Sequence, residues 1–315
     1  VILGFCLALL NVVSMARIGL DSEISGSLGA HSTHDSFLRR GNGRTSEGDV
    51  WHARILSGSP PSLLEAARAM VPTSPREHRT LMVTITNRGF IPYTVNLHAS
   101  LQRLGIGSDL LVVSPDVATA EYLAGEFGMS TAVYSREDVS APDSRESFMS
   151  PGWSKLVFIK VDVMAQLLRA GYSVVLIDSD TVVLRDPRPR LWWLLEGPHQ
   201  DVDLMIQPDH SVLQRHYLCT GFMFVRPTSR SLQLFNTAGL DPDAFSNDQL
   251  YLNDRMRAVG VHFFPLPRLE FPNGFTFYSA MGEGENGARE LEGAYIVHFN
   301  YVVGDEKLQR MRQFG

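Results

Sequence analysis

Asp178 and Asp180 stand one residue apart, directly after the apolar segment at residues 174–177. Such a segment is typical of a strand buried on both faces, whose carboxyl end faces the ligand crevice of an α/β sheet. Two neighbouring carboxylates there would repel each other and be costly to desolvate, so a divalent cation is their natural partner. The alternative is a solvated turn capped by an aspartate, and the Asp-x-Asp pattern alone does not decide between the two.

A histidine and a lysine near the end of the chain could complete such a site. Two oxygen ligands and the imidazole of His298 suit manganese or magnesium, whose other positions phosphate oxygens can fill. A single histidine at a strand end is more often structural, so the residues that follow it matter. Gly304 allows a close approach of the backbone, and Lys307 supplies a positive charge suited to a diphosphate.

Four other residues are candidates for the same site, each with a structural alternative. Lys160, on the helix before the aspartates, could also neutralise a diphosphate, or it could be a surface lysine. Asp248, at the start of a predicted helix, could support a reacting substrate or hold an acceptor hydroxyl, or it could cap the helix. Thr220 and Gly221 could line the substrate pocket or form a turn.

The segments that must position these residues alternate between strand and helix patterns. This alternation predicts a parallel sheet with right-handed crossovers. The first predicted strands are residues 81–86, 109–114, 131–134 and 174–177, and the helices between them are residues 92–104, 118–127 and 153–169. Later strands are predicted at residues 203–207, 222–226, 261–265 and 295–300, with helices at 229–236 and from 247, an irregular stretch at 271–287 and a basic tail.

Composition excludes several classes of function. The net charge is −6 and no basic stripe alternates with aromatic residues, so nucleic-acid binding is not indicated. The two cysteines, Cys6 and Cys219, are far apart and provide neither a disulfide framework nor a cysteine zinc site. With 315 residues, of which 44% are hydrophobic, the chain can bury a large core.

The amino-terminal region differs from the rest of the chain. Residues 1–19 are mostly apolar and are predicted to be a signal anchor or a signal peptide, either of which leads into the secretory pathway. Residues 20–78 are rich in Gly, Ser, His and Arg and are typical of a flexible stem, with one isolated helical piece at 62–70. The single catalytic domain is therefore predicted to span residues 79–315.

Five motifs together resemble a known enzyme family. They are V-T-I-T-N near the start of the domain, V-V-L-I-D-S-D-T-V-V-L-R-D-P, C-T-G-F-M-F-V-R-P-T, N-D-Q and H-F-N-Y-V-V-G-D-E-K. In this combination the chain resembles a nucleotide-diphospho-sugar transferase of the GT-A type, and most of all glycosyltransferase family 77. That family includes plant arabinosyl- and xylosyltransferases of the cell wall. The resemblance implies a Rossmann-like, mixed but mostly parallel sheet flanked by helices.

The resemblance also implies roles for individual residues. Asp178, Asp180 and His298 match the metal ligands of the family, and Gly304 and Lys307 match its diphosphate contacts, although the spacing from His298 to Gly304 differs from the familiar His-x-x-Gly form. Asp248 and Gln249 match the Asp-Gln pair near the transferred sugar. The residues that fall where the first strand meets the nucleotide are Thr84, Thr86 and Asn87.

The function implied is transfer of a sugar, with retention of configuration, from a UDP-sugar to a glycan or glycoprotein hydroxyl. A UDP-pentose or UDP-galactose donor and a Mn²⁺ or Mg²⁺ cofactor are expected. The amino-terminal segment would hold the enzyme in the Golgi membrane as a single-pass type II protein with a lumenal catalytic domain.

Two alternatives remain open from the sequence. A phosphatase of the haloacid-dehalogenase type also places D-S-D-T after a strand, but that interpretation leaves C-T-G-F, N-D-Q and His298 without a role. The second alternative is a catalytically inactive relative that still binds a sugar nucleotide. The presence of both aspartates, His298 and Asp248 argues against it.

Overall fold

The structure is a computed structural model that describes residues 60–71, 79–136, 151–197, 199–209, 217–241, 247–302 and 304–314. The expected signal segment at 1–19 and most of the expected stem lie outside these residues. No helix within the described ranges is both long and apolar enough to cross a membrane.

Helices and strands alternate along most of the described chain. The helices are α1 (Leu63–Met70), α2 (Ile91–Arg103), α3 (Val117–Phe127), α4 (Pro151–Arg169), α5 (Arg188–Glu196), α6 (Ser229–Leu234), α7 (Asp248–Val259), α8 (Gly274–Gly282), α9 (Glu285–Glu290) and α10 (Gly304–Phe314). The strands are β1 (Thr80–Ile85), β2 (Leu110–Ser114), β3 (Ser130–Val133), β4 (Ser173–Ile177), β5 (Thr181–Val183), β6 (Leu204–Pro208), β7 (Leu218–Val225), β8 (Phe263–Pro265) and β9 (Ile296–His298).

Seven of these strands form one mixed sheet in the order β3-β2-β1-β4-β7-β6-β8. Strands β3, β2, β1 and β4 are parallel to one another, whereas β7 is antiparallel to both of its neighbours, β4 and β6. Strand β8 is parallel to β6, so β7 alone runs against the other strands of this sheet. The predicted mixed, mostly parallel α/β sheet is confirmed.

Strand β4 is buried on both faces, as its apolar sequence predicts. Val174 and Leu176 pack into a hydrophobic core on one side of the sheet, together with α1, α4 and α7. Val175 and Ile177 pack into a second core on the other side, with α2 and α5. This alternation follows from the two-residue period of a strand. The strand is thereby fixed in register, and so is the segment that follows it.

Helix α1 packs onto the sheet, whereas the sequence predicts an isolated helical piece within the stem. Ser62 and Glu65 form a capping box that begins the helix, with the Ser62 backbone N–H donating to Glu65 Oε2 at 3.0 Å. Ala66 and Ala67 are fully buried in the core, and Val133 N donates to Pro61 O at 3.0 Å. The packed domain therefore includes this helix.

The stretch at 271–287 is helical rather than irregular. Asn273 caps α8 by accepting from Thr276 N at 3.0 Å, and Gly284, with φ of 67°, separates α8 from α9. A Cβ at Gly287 would lie 1.7 Å from Ala280 O, so the two helices meet at a glycine. The glycines that suggested a loop serve close helix packing here. The predicted basic tail is likewise a helix, α10.

Replacing Leu63 by Ala tests whether α1 belongs to the folded domain. Leu63 is 4% exposed in the core, so the substitution should lower the free energy of unfolding by about 2 to 4 kcal/mol. Urea denaturation measures this change. Arg68→Ala, on the exposed face of the same helix, is the control and should change stability little. Equal stability of the two variants would show that α1 is not part of the cooperative core.

Candidate active site

Strand pairing brings the three predicted metal ligands together. After β4, Thr181 N donates to Asp178 O at 3.1 Å in a turn that leads into β5, and β5 pairs with β9 so that Thr181 faces His298. The imidazole Nε2 of His298 lies 3.2 Å from Asp180 Oδ1 and 4.0 Å from Asp178 Oδ2. One ligand atom from each of the three residues lies within 4.8 Å of the others.

The orientation of the His298 ring is fixed on its other side. Gln207 Oε1 lies 2.9 Å from Nδ1, while the amide nitrogen of Gln207 donates to Phe271 O at 3.0 Å. This arrangement gives Nδ1 the donor role and aims Nε2 at the aspartates, as second-sphere partners of metal-binding histidines do. The ring lies against Gly221, where a Cβ would be 2.1 Å from its Cε1. Only glycine leaves room for it.

Two lysines neutralise the carboxylates of this cluster. Lys307, on α10, forms an ion pair with Asp180. Lys160, on α4, lies 3.1 Å from Asp178 Oδ1 and 2.6 Å from Asp248 Oδ2. The positive charges come from two helices that are distant in sequence, and each lysine is paired with a different aspartate of the Asp-x-Asp motif.

These contacts shift the pKa values of the charged groups. Burial raises the pKa of Asp180, but Lys307 and His298 outweigh it and hold that pKa well below the usual range. Burial raises the pKa of Asp178 in spite of the opposing charges of Lys160 and His298. Burial lowers the pKa of His298, whereas Asp180 and Cys219 raise it, to about 10. The cluster therefore strongly favours positive charge between its carboxylates, which is what a cation would supply.

Lys160 is not a surface lysine. Its side chain is 9% exposed, and burial, which lowers its pKa, is outweighed by Asp178 and Asp248, which raise it. The structure places its ammonium between these two carboxylates rather than on the outside of α4. Its position lets one positive charge fix both the first metal-ligand candidate and the carboxylate of Asp248.

Asp248 is the first residue of α7 but does not cap it. The cap is Asn247, whose Oδ1 accepts from Gln249 N at 2.8 Å and Leu250 N at 3.0 Å. The carboxylate of Asp248 is free to turn inward, where Thr220 Oγ1 donates to it at 2.8 Å. Asp248 is 4% exposed, so the helix-capping alternative is replaced by a buried carboxylate held by Thr220 and Lys160.

These side chains line a cavity of about 240 Å³. Its polar side carries the aspartates, both lysines, His298 and Gln249. One face of α4 contributes to its wall with the spacing i, i+3, i+4, i+7. Those α4 residues are Trp153, Leu156, Val157 and Lys160, and other lining residues are Ile85, Phe90, Ser179, Cys219, Thr220, Gly221, Asn247 and Asn300.

Comparison with known proteins decides what kind of cavity this is. Residues 106–311 match the family model described as "Nucleotide-diphospho-sugar transferase". The chain belongs to this family. It is a glycosyltransferase of the family 77 type, and its donor is a nucleotide sugar. The phosphatase interpretation of the D-S-D-T segment is not favoured by this assignment.

Several characterised transferases are similar to the chain over most of its length. UDP-D-xylose:L-fucose alpha-1,3-D-xylosyltransferase 1 of Arabidopsis thaliana is 28% identical over 293 residues, covering 82% of this chain and 76% of the relative. UDP-galactose:fucoside alpha-3-galactosyltransferase of Dictyostelium discoideum is 21% identical over 282 residues, covering 74% of this chain and 42% of the relative. Among solved structures, mouse xyloside xylosyltransferase 1 overlaps 70% of this chain and 98% of its own, with 13% identity and a TM-score of 0.44.

Three predicted nucleotide contacts of this glycosyltransferase lie away from the cavity surface. Thr84, Thr86 and Asn87 are fully buried, and the cavity is lined instead by Ile85 of the same strand. The hydroxyl of Thr86 accepts from Thr94 Oγ1 at 2.7 Å and so ties β1 to α2. The predicted Gly304 begins α10, the helix that carries Lys307.

Some residues of the site had no individual signal in the sequence. Gln207 and Asp209 lie at the end of β6, and they reach the site only through His298 and Gln249, respectively. Gln249 Nε2 donates to Asp209 Oδ2 at 2.7 Å, a contact between residues 40 positions apart. The wall formed by α4 was predictable from the sequence, because its lining residues lie on the same helical face as Lys160.

Replacing Lys160 by Met tests the central role of this ion pair. The substitution leaves Asp178 and Asp248 close together without their shared cation, so the free energy of unfolding should fall by about 3 to 5 kcal/mol. The double variant Lys160→Met/Asp248→Asn should recover part of this loss. Urea denaturation measures both, with Arg257→Met, whose side chain is 68% exposed on α7, as control. A Lys160→Met variant as stable as that control would contradict the role.

Proposed function

We propose that this glycosyltransferase is metal-dependent and retains the configuration of the transferred sugar. The single observation that carries metal dependence is the convergence of Asp178, Asp180 and His298, beside Lys307, on one cavity. A nucleoside diphosphate is a poor leaving group until its growing negative charge is neutralised. Positive charge at this end of the cavity is therefore what the reaction needs most.

The residues present fit a divalent cation. Two carboxylates and one imidazole, with His298 held by Gln207 in the second sphere, suit Mn²⁺ or Mg²⁺. Asp178, Asp180 and His298 would hold the ion, which when bound would neutralise the diphosphate of the donor. No other group of three His, Cys, Asp or Glu residues in the described ranges offers ligand atoms this close together.

The other side chains of the cavity contact the diphosphate or the transferred sugar, or hold the groups that do. Lys307 exchanges part of its contact with Asp180 for the phosphate oxygens of the donor, and Gly304 lets the backbone approach the same group. Asp248 and Gln249 line the cavity and would contact the transferred sugar, where the carboxylate would stabilise the positive charge that builds up on the anomeric carbon. Lys160 and Thr220 hold that carboxylate in place.

The relatives suggest which donors and acceptors to test. Their names specify UDP-D-xylose with L-fucose, UDP-galactose with a fucoside, and arabinosyl transfer. These names support a UDP-pentose or UDP-galactose donor here, and a hydroxyl of a glycan or glycoprotein as acceptor. The "alpha-1,3" linkage in the names of the xylosyltransferases is what retention gives from an α-linked donor.

We also propose a location for this reaction. The apolar segment at residues 1–19 supports insertion into the membrane of the secretory pathway as a single-pass type II anchor. The catalytic domain would then face the Golgi lumen. Plant relatives that include arabinosyltransferases support cell-wall glycans as the products. Imaging of the tagged full chain, with protease protection of the domain in sealed vesicles, tests this location.

Release of UDP tests metal dependence and names the donor. The chain should release UDP from UDP-xylose, UDP-arabinose or UDP-galactose in the presence of Mn²⁺ and methyl α-L-fucoside, and a chelator should abolish release. Asp180→Ala should lower the rate by about a hundredfold or more, because it removes a metal ligand. Asp201→Ala, whose side chain is 81% exposed, is the control. A product with the same anomeric configuration as the donor, identified by NMR, is expected for retention.

Other outcomes of this assay contradict the proposal in different ways. Release of UDP that persists in the presence of chelator would show that the reaction does not depend on a metal. A product whose anomeric configuration is opposite to that of the donor would contradict retention. Failure with every donor, together with magnesium-dependent hydrolysis of a simple phosphate ester that needs Asp178, would restore the phosphatase. UDP binding without any turnover would identify an inactive relative.

Gly221→Ala tests the metal site without touching a ligand. The new Cβ would lie 2.1 Å from His298 Cε1, so the ring must move away from Asp180. Mn²⁺ affinity, measured by electron paramagnetic resonance of the free ion, should fall about tenfold to a hundredfold. Gly125→Ala on α3, where a Cβ meets nothing within 4 Å, is the control. Unchanged Mn²⁺ affinity of Gly221→Ala would show that His298 does not bind the ion.

A further inference from the structure

Two aromatic side chains stand exposed beside the cavity. Phe275, near the start of α8, is 37% exposed, and Tyr301, just after β9, is 46% exposed. Their ring centroids are 5.7 Å apart, with an angle of 46° between the ring planes. We call this pair the aromatic shelf. Exposed aromatic surface is expensive to keep in water, so a pair held together at the edge of a reaction cavity suggests a ligand.

The shelf is joined to the cavity by short hydrogen-bonded paths. The Tyr301 hydroxyl donates to Asp209, whose other oxygen accepts from Gln249 Nε2 at 2.7 Å. Gln249 lines the cavity, and so does Asn300, the residue before Tyr301. Two hydrogen bonds therefore connect an exposed ring with a side chain that lines the cavity. The shelf is continuous with the site already described.

Both members of the shelf are fixed in position. Gly274, the residue before Phe275, donates its N–H to Asn300 Oδ1 at 2.7 Å, and a Cβ there would meet Asn300 O at 2.3 Å. Tyr301 has φ of 67°, the left-handed conformation that non-glycine residues rarely adopt, and no other non-glycine residue in the described ranges has a positive φ. Burial of the hydroxyl and its bond to Asp209 raise the pKa of Tyr301, so it stays a neutral donor.

The chemistry of the shelf fits the ring of a sugar. One face of a pyranose carries mainly C–H groups, which pack against aromatic faces, while the ring hydroxyls remain free to enter a polar cavity. A phosphate or a charged peptide would gain little from this shelf, because its two side chains are neutral. The diphosphate end of the site lies at Lys307, whereas the shelf is tied to Gln249.

We propose that the aromatic shelf is the acceptor subsite, where an acceptor pyranoside stacks on Phe275 and Tyr301 and presents a hydroxyl to the cavity. This inference rests on the proposed transferase function and adds the acceptor side to it. Asp209 is a positioning residue, because it orients Tyr301 on the shelf and Gln249 in the cavity through the same carboxylate. Its own oxygens are used in these contacts and not for the sugar.

Binding of small glycosides tests the shelf without requiring turnover. The probes are methyl α-L-fucopyranoside and methyl β-D-galactopyranoside, added to the full chain with UDP and Mn²⁺ and followed by saturation-transfer NMR and calorimetry. The wild type should bind at least one of them. Phe275→Ala and Tyr301→Ala should each weaken that binding about tenfold, while the Kd of UDP changes less than twofold. Tyr301→Phe keeps the ring and should retain most of the binding.

Tyr122→Ala is the matched control, because Tyr122 is 39% exposed on α3 and does not line the cavity. It should bind the glycosides like the wild type. Thermal unfolding identifies a variant that has lost its fold. If Tyr301→Ala does not fold, Phe275→Ala still tests the shelf, because it leaves the contact of Tyr301 with Asp209 intact. A turnover assay adds that the acceptor KM should rise in the shelf variants, with kcat and the donor KM little changed.

Three results would overturn the shelf. Glycoside binding that is unchanged in Phe275→Ala and Tyr301→Ala would do so, as would loss of UDP affinity, which would assign the rings to the nucleobase. Failure of the wild type to bind either glycoside would reject a pyranoside as the occupant. The proposed transferase function is tested separately, by release of UDP from a donor sugar by the wild type.

Discussion

The cavity depends on keeping three carboxylates, those of Asp178, Asp180 and Asp248, within reach of compensating positive charge. At such separations like charges repel strongly in a medium of low dielectric constant. Lys160 lies between two of them, and Lys307 and His298 face the third. Each cation comes from a different element, so the packing of α4, α10 and β9 against the sheet is constrained by the charge balance of one site.

The sheet provides the precision that this balance requires. Strand β4 is buried on both faces and therefore cannot slip in register without exposing apolar side chains. Strand β7 runs against it and presents Thr220 and Gly221, one to hold a carboxylate and one to leave room for a ring. The separate pairing of β5 with β9 then carries His298 across to the end of β4. The site is thus a consequence of two strand pairings, that of β4 with β7 and that of β5 with β9.

Local patterns predicted the parts of this molecule that are local. The alternation of strands and helices, the buried strand at 174–177 and the aspartates after it follow from periodicity and residue type. The partners of Lys160 do not follow from local patterns, because Asp248 lies 88 positions away and the contact exists only after α7 packs beside α4. The capping box at Ser62 made the α1 helix predictable, but its burial against the sheet depends on β3. Glycines at 284 and 287 suggested a loop, since helix packing at a glycine looks the same in sequence as a turn.

Lys160 and Lys307 differ in how readily a bound substrate could contact them. Lys160 is held by two carboxylates and is 9% exposed, so an incoming diphosphate would have to break two ion pairs to reach it. Lys307 has one carboxylate partner, is 17% exposed and lies on the last described helix, which packs through Met311 against Tyr93 and Phe277. A cation between the aspartates would weaken the need of Asp180 for Lys307 and free it for phosphate. Lys160 therefore organises the site, and Lys307, with its single carboxylate partner, is the lysine that we propose exchanges its partner when the donor binds.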